Sequence, residues 1–278
     1  MSSIYPIRTT DRSLARLVAG APVRLLGVWA HPDDEAYLSA GLMRRVVRSG
    51  GSVTCLMATR GEAGVAPDDP RPPSVVAAMR EQELRQAIGP LGVDLLPFLG
   101  HADGGCDDVA HEVGVRQVLD AIEAVRPHVI VTFGPDGITG HADHLAIHRW
   151  ATDAWARTGR GALLYTTMTR DFLEDRRALH ERVGVFGDHD PVGVASSEVA
   201  LTVELGEVEL DVKRRALAAH ASQTAGLAQA MGEDTYRTWW RTETFREPTH
   251  DEVAHATHPS SGTRFVRTSG RNAYQNVG

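Results

Sequence analysis

Short apolar runs alternate with amphipathic stretches through the first two thirds of the chain, and this alternation restricts the folds open to it. Residues 23–30 (VRLLGVWA) form a continuous apolar run closed by a polar turn, as in a strand buried on both faces. In EAYLSAGLMRRVVRS, which follows, Leu38, Leu42, Met43, Val46 and Val47 recur at helical spacing, and Gly50 and Gly51 provide the stop. The pattern then repeats: a strand at 52–59, a Pro/Gly/Asp loop at 61–73, a helix at about 74–88, a strand around 95–99, a helix at 109–125, a strand at 128–133 and a helix starting near His144. Strands separated by helices imply right-handed crossovers, so the expected fold is α/β, a mostly parallel twisted sheet of about five to seven strands with helices on both faces. Beyond it the spacing predicts a strand at 162–168, a helix at 171–181, an edge strand at 198–205, a helix at 207–221 and a helix turning into a strand over 233–247. The resulting division is an N-terminal extension (1–22), one domain (23–247) and a polar tail (248–278). The tail histidines His250, His255 and His258 match no closed metal site and read as solvated.

A chain of 278 residues, 42% of them hydrophobic, buries enough surface to fold without a metal or disulfide staple. A metal site in it is therefore functional rather than structural. The net charge of −7 and pI near 6.0 argue against nucleic acid and anionic membranes as partners. Cys55 and Cys106 are too few for a disulfide framework, and no apolar run is long enough for a signal peptide or a membrane span. A soluble, cytoplasmic protein is expected, and a homo-oligomer is left open. Lys213 is the only lysine among 29 basic residues, a bias that points to a GC-rich genome rather than to mechanism.

In an open parallel sheet, ligands bind beyond the carboxyl ends of the strands. The first apolar run leads straight into His31-Pro32-Asp33-Asp34-Glu35 rather than a G-x-G-x-x-G turn, which disfavours a nicotinamide site. Pro32 fixes one φ angle of this turn, so His31 and Asp34, three apart, can converge on one point. Three consecutive acids could simply complement a helix dipole, but that role leaves a histidine at the strand end unexplained. After the strand at 128–133 comes GPDGITGHADHLAIH, a Gly-rich loop with His141, Asp143, His144 and His148. His31, Asp34 and one of His141 or His144 supply the three ligands of a zinc enzyme with an open position for water. His144 and His148 lack the glutamate of an H-E-x-x-H pair, and Thr59 and Ser39 lack a nucleophile elbow.

AHPDDE together with GHADH resembles the PIG-L/LmbE-like family of zinc-dependent de-N-acetylases. Further matches are Thr59-Arg60-Gly61-Glu62, Arg80-Glu81-Gln82-Glu83, Leu99-Gly100 with Asp103-Gly104, and Lys213 with His220-Ala221-Ser222-Gln223. The resemblance implies a Rossmann-like fold and a small-molecule partner, an N-acetylglucosaminyl-type amino-sugar conjugate. It makes His31, Asp34 and His144 the ligands of Zn2+, with Fe2+ as the other ion such donors suit. It makes Asp33 the general base and His141 the group that meets the oxyanion and protonates the departing amine, with Asp143 tuning His141. Arg80 would hold sugar hydroxyls, opposite Asp103 or Asp107; the alternative for Arg80 is an i, i+3 ion pair with Glu83. On charge proximity alone, Asp143 beside His141 is expected to favour the imidazolium. Two positions depart from the family pattern: Ala142 stands where proline is usual, and Thr139 where some members carry a tyrosine. A metallo-amidase cutting another amide, such as a thiol conjugate, and a non-catalytic metal-binding protein are the alternatives.

Overall fold

The computed structural model describes residues 4–6 and 12–258. In chain order the elements are β1 (Ile4–Pro6), α1 (Arg12–Val18), β2 (Arg24–Trp29), α2 (Asp34–Arg48), β3 (Ser52–Met57), α3 (Pro73–Ile88), β4 (Asp94–Leu95), α4 (His111–Val125), β5 (Val129–Phe133) and α5 (Ala142–Thr158). Then follow β6 (Ala162–Thr169), α6 (Arg170–Asp175), α7 (Arg177–Val183), β7 (Gly193–Val194), β8 (Leu201–Glu204), α8 (Glu207–Ala219), α9 (Ala221–Met231), α10 (Glu233–Trp239), β9 (Thr242–Arg246) and α11 (His250–Thr257).

The sheet order is β1-β8-β9-β6-β5-β2-β3-β4. From β4 to β6 every pairing is parallel, as the alternation of strands and helices predicts. β2 and β5 carry apolar residues on both faces because helices cover both, and only Arg24 at the start of β2 is exposed. The far side is antiparallel: β9 pairs β6, β8 pairs β9 and β1 pairs β8. Residues 201–204 therefore lie inside the sheet rather than at its edge. Chain order reverses between β2, whose successors run to one side, and β5, whose successors run to the other. Such a switch point opens a crevice at the carboxyl ends of the two strands. Close packing of α5 on α4 backs the crevice: a Cβ on Gly114 of α4 would stand 2.1 Å from the buried Trp150 ring.

Several expected boundaries differ. The strand at 95–99 shrinks to Asp94–Leu95 because Pro97 has no N–H, although Leu96 and Leu99 still donate to Cys55 O and Met57 O. The helix at 171–181 is two short helices, and a further helix, α9, follows His220. Part of the expected tail is structured: Thr249 caps α11, Arg246 pairs with Glu252, and Ala256 is buried. His250, His255 and His258 are exposed, and residues 259–278 lie outside the described part. Among the described residues no helix is long and apolar enough to cross a membrane.

Candidate active site

Trp29 ends β2 under full burial, and residues 30–33 turn the chain into α2. Asp33 stands before the helix at φ 128°, in the left-handed half of backbone space that disfavours a residue with a Cβ. Asp34, in the first helical turn, reaches back so that Oδ2 accepts the His31 N–H at 2.8 Å. Its Oδ1 lies 3.3 Å from His144 Nε2.

The loop after β5 turns through Gly137, Ile138 and Gly140, all at positive φ, and delivers His141 to the start of α5. The Asp143 N–H donates to His141 Nδ1 at 3.2 Å, capping the helix. One turn on, the His144 ring stacks on Phe133 with centroids 4.1 Å apart, and its Nδ1–H donates to Gly137 O at 2.8 Å. That bond leaves Nε2 as the free lone pair, aimed at His31 Nδ1 3.2 Å away.

Three side chains therefore face one another: His31 Nδ1 and His144 Nε2 stand 3.2 Å apart, and the Asp34 carboxylate lies beside both, with Oδ1 3.3 Å from His144 Nε2 and Oδ2 3.7 Å from His31 Nδ1. A tetrahedral zinc ion with bonds of about 2.0 Å needs its ligand atoms about 3.3 Å apart. The outer nitrogens fit as well. His31 Nε2 lies 3.1 Å from both Asp103 Oδ1 and Asp143 Oδ2, and His144 Nδ1 is on a backbone carbonyl, the kind of partner that orients ligating imidazoles. His141 brings a third imidazole nitrogen within 4.8 Å of the other two. The residues present fit a divalent metal.

The two adjacent aspartates differ in charge environment. Burial opposes ionisation of both, but the His144 and His31 imidazoles outweigh it at Asp34, holding its carboxyl down at about 2. At Asp33 burial dominates over the Arg80 guanidinium, whose Nη2 is 3.6 Å away, and pushes the carboxyl up to about 6. Burial also acts against a charged His31, yet its hydrogen bonds to Asp103 and Asp143 prevail and raise it.

Four expectations are corrected. Burial, with the neighbouring His31 and His144, pushes His141 down to about 3, so the charge of Asp143 raises it as expected but is outweighed. Asp143 does not turn its carboxylate to His141: the oxygens accept from Gly104 N at 2.8 Å and Cys106 N at 2.9 Å and brace His31. Asp107 is exposed and paired with Arg149 at 2.5 Å, away from the crevice, whereas Asp103 faces His31. Arg80 forms no pair with Glu83, which accepts from Ser222 instead. The Arg80 guanidinium is buried, donating to Gly61 O at 2.7 Å and Pro32 O at 2.6 Å, and so does not open toward a sugar. Nothing in the sequence marks the pairing of Glu35 with His220, whose Nε2 lies 2.7 Å from Glu35 Oε1. The one available signal is that both belong to the matched motifs.

Comparison with known proteins extends these observations. The profile of the PIG-L family, described as GlcNAc-PI de-N-acetylase, matches residues 26–155. A protein of Rhodococcus opacus named 1D-myo-inositol 2-acetamido-2-deoxy-alpha-D-glucopyranoside deacetylase is 31% identical over 258 residues, covering 76% of this chain and 86% of the relative. The conserved protein TT1542 of Thermus thermophilus superposes with a TM-score of 0.58 at 24% identity, over 82% of this chain and 95% of its own. The N,N'-diacetylchitobiose deacetylase of Pyrococcus horikoshii gives 0.57 at 16% identity, over 90% and 95%, a likeness of fold. Similarity to the Rhodococcus relative spans most of both chains and reaches far past the two histidine motifs, and on that ground this chain belongs to the PIG-L family of de-N-acetylases.

Proposed function

We propose that the chain hydrolyses the acetamide of an N-acetylglucosaminyl-type sugar conjugate, releasing acetate and a free amine, with zinc as the metal and Fe2+ as the other ion the donors suit. The Rhodococcus relative's printed substrate makes an inositol glycoside the first conjugate to test. His31, Asp34 and His144 would hold the ion. When bound, it supplies a Lewis acid that polarises the acetamide carbonyl and makes a water more acidic.

Asp33, buried beside the donors but not among them, takes the proton of the attacking water as its oxygen adds to the carbonyl carbon. His141 is fixed as the Nε2–H tautomer, because Nδ1 already accepts the Asp143 N–H. It can donate a hydrogen bond to the developing oxyanion but has no second proton to release. When the C–N bond breaks, the amine therefore takes its proton from Asp33. The same carboxyl serves as base and then as acid. Cys55 and Cys106, both free and buried, fit a reducing cytoplasm.

The observation that carries this reading is the separation of Asp33 from the donor set. Asp33→Asn should keep about one metal ion per chain while lowering kcat about a hundredfold or more on an N-acetylglucosaminyl inositol. Near-full turnover by that variant, or equal kcat/KM of the wild type on the sugar and on an acetyl-lysine peptide, would overturn it.

A further inference from the structure

The peptide unit joining Pro32 to Asp33 is held at both ends. Its carbonyl accepts from Arg80 Nη2 at 2.6 Å, and its N–H, on Asp33, donates to Glu35 Oε2 at 3.0 Å. Rotation about the Asp33 N–Cα bond sets the angle between that peptide plane and the Asp33 side chain, and it stands at φ 128°. A residue with a Cβ stays there only where its surroundings over-determine it. Swinging the peptide to an ordinary φ would break a hydrogen bond at each end, inside a region where Arg80 is 3% and Glu35 0% exposed and no water can take over.

Both holders are themselves seated. Arg80 Nη1 donates to Gly61 O, and a Cβ at Gly61 or Gly64 would lie 2.1 or 2.4 Å from that nitrogen, so the loop after β3 is shaped around the guanidinium. Glu35 Oε1 takes the Nε2–H of His220, which is fully buried between α8 and α9. Asp34 is fixed separately by the His31 N–H, so Asp33 can be released without dismantling the donor set.

We infer that Arg80 and Glu35, with His220 behind Glu35, are positioning residues that clamp the Pro32–Asp33 peptide and hold Asp33 in a strained conformation that aims its carboxylate at the reacting centre. The strain and the clamp stand on geometry alone; the purpose assigned to them rests on the reading of Asp33 as the base.

Two measurements test the inference, and the first needs no substrate. Asp33→Gly and Asp33→Ala both remove the carboxylate, but only glycine is at ease at this φ. Asp33→Gly should melt about 2–4 °C above Asp33→Ala, the shift that relief of such strain gives in a chain of this size. The gap should close when the pair is remade in Glu35→Met or in Arg80→Met; each background releases one end, so either alone carries the test if the other fails to fold. Asp33→Gly melting no higher than Asp33→Ala, or a gap that persists in the released background, overturns the clamp whatever the substrate proves to be. The second measurement is turnover of an N-acetylglucosaminyl inositol. Glu35→Met should lower kcat about 30- to 100-fold, as misplacement of a reacting group does, with KM and bound zinc within about twofold of wild type. Glu35→Gln, which keeps an acceptor for the Asp33 N–H, should recover about tenfold or more of that loss. Metal lost in step with kcat, or no recovery by glutamine, overturns the positioning role. Absence of turnover by the wild type would instead count against the deacetylase reading and leave the melting result intact.

Discussion

The turn after β2 and the loop after β5 arrive at one point from neighbouring strands by opposite means. Residues 30–33 contain no glycine, take their one left-handed conformation at Asp33, and are held by side chains from α2 and α3. Residues 134–141 place Gly137 and Gly140 at positive φ and close with their own backbone bonds, Gly137 N to Gly134 O at 3.0 Å and Gly140 N to Asp136 O at 3.2 Å. Glycine supplies two of the three left-handed positions, with the buried Ile138 at φ 66° as the third, and the loop's own backbone bonds close the path and leave the histidines to be aimed by the helix start. A strained aspartate needs distant partners, and its geometry is correspondingly stiff. On the proposed reading, the stiff turn carries the group that moves protons beside the ligand His31, and the loop after β5 carries a ligand and a hydrogen-bond donor.

The largest effect expected is loss of the metal. His31→Ala and His144→Ala should each lower bound zinc from about one per chain to below about a tenth, read by elemental analysis, since each removes one of the three proposed ligands. The metal-free proteins should then separate the two sides. His31 lies between two buried carboxylates, Asp103 and Asp143, so its removal leaves two anions facing each other without a partner. His144 leaves Gly137 O, the Phe133 face and the Asp34 carboxylate, which still accepts the His31 N–H through its other oxygen. In urea, His31→Ala should cost about 3–5 kcal/mol, as breaking a buried ion pair does. His144→Ala should cost about 1–3 kcal/mol. Equal losses would mean that the braces on His31 contribute nothing beyond an ordinary buried hydrogen bond.

The parallel half of the sheet and the ligand-bearing ends of β2 and β5 were legible because both follow from local order: apolar period, then a polar turn. The antiparallel side was not, since the pairing of β9 with β6 and of β8 with β9 joins segments whose apolar patterns fit an edge as well as an interior. Within the site, spacing brought His31 and Asp34 together with one of His141 or His144, and the family resemblance chose His144. The resemblance put Arg80 on a sugar and the i, i+3 spacing put it on Glu83, and neither could show a guanidinium buried on two backbone carbonyls. The net shift of His141 was missed for a different reason: the sequence showed Asp143, whose charge does raise it, but not the burial and the His31 and His144 imidazoles that outweigh that charge.

A histidine outside the crevice provides a control for acid sensitivity. His180 on α7 accepts the Trp239 Nε1–H at 2.9 Å and packs against Phe172 and Phe186; burial, aided by Arg176, pushes it down to about 4. Its folded value lies below the unfolded one of about 6.5, so between these the unfolded chain binds more protons. This contribution to stability is complete above about pH 6.5 and is lost as pH falls through 4, on the order of 3 kcal/mol. His180→Gln keeps an acceptor for Trp239 and cannot titrate, so its unfolding free energy should be flatter over that window. An unchanged slope would assign the acid sensitivity to other groups, the turn after β2 among them.

The smallest effect concerns positive φ away from the site. Arg126 caps α4 at φ 49°, is exposed, and donates its N–H to Ile122 O at 2.8 Å. No side chain from a distant element over-determines its conformation, although its carbonyl accepts from Arg24 Nε, a bond that any residue at 126 would keep. Arg126→Gly removes the left-handed penalty and adds chain entropy to the unfolded state, so the net gain should be about 0.5 kcal/mol, with kcat unchanged. At Asp33 the same change relieves strain only by deleting the proposed proton acceptor. Thermal melts and turnover on the two glycine variants set the contrast side by side: strain at a helix cap is removable without loss, and strain at the turn after β2 is not. A fall in kcat for Arg126→Gly, at a position far from the crevice, would show that positive φ alone does not separate the working turn from the rest of the fold.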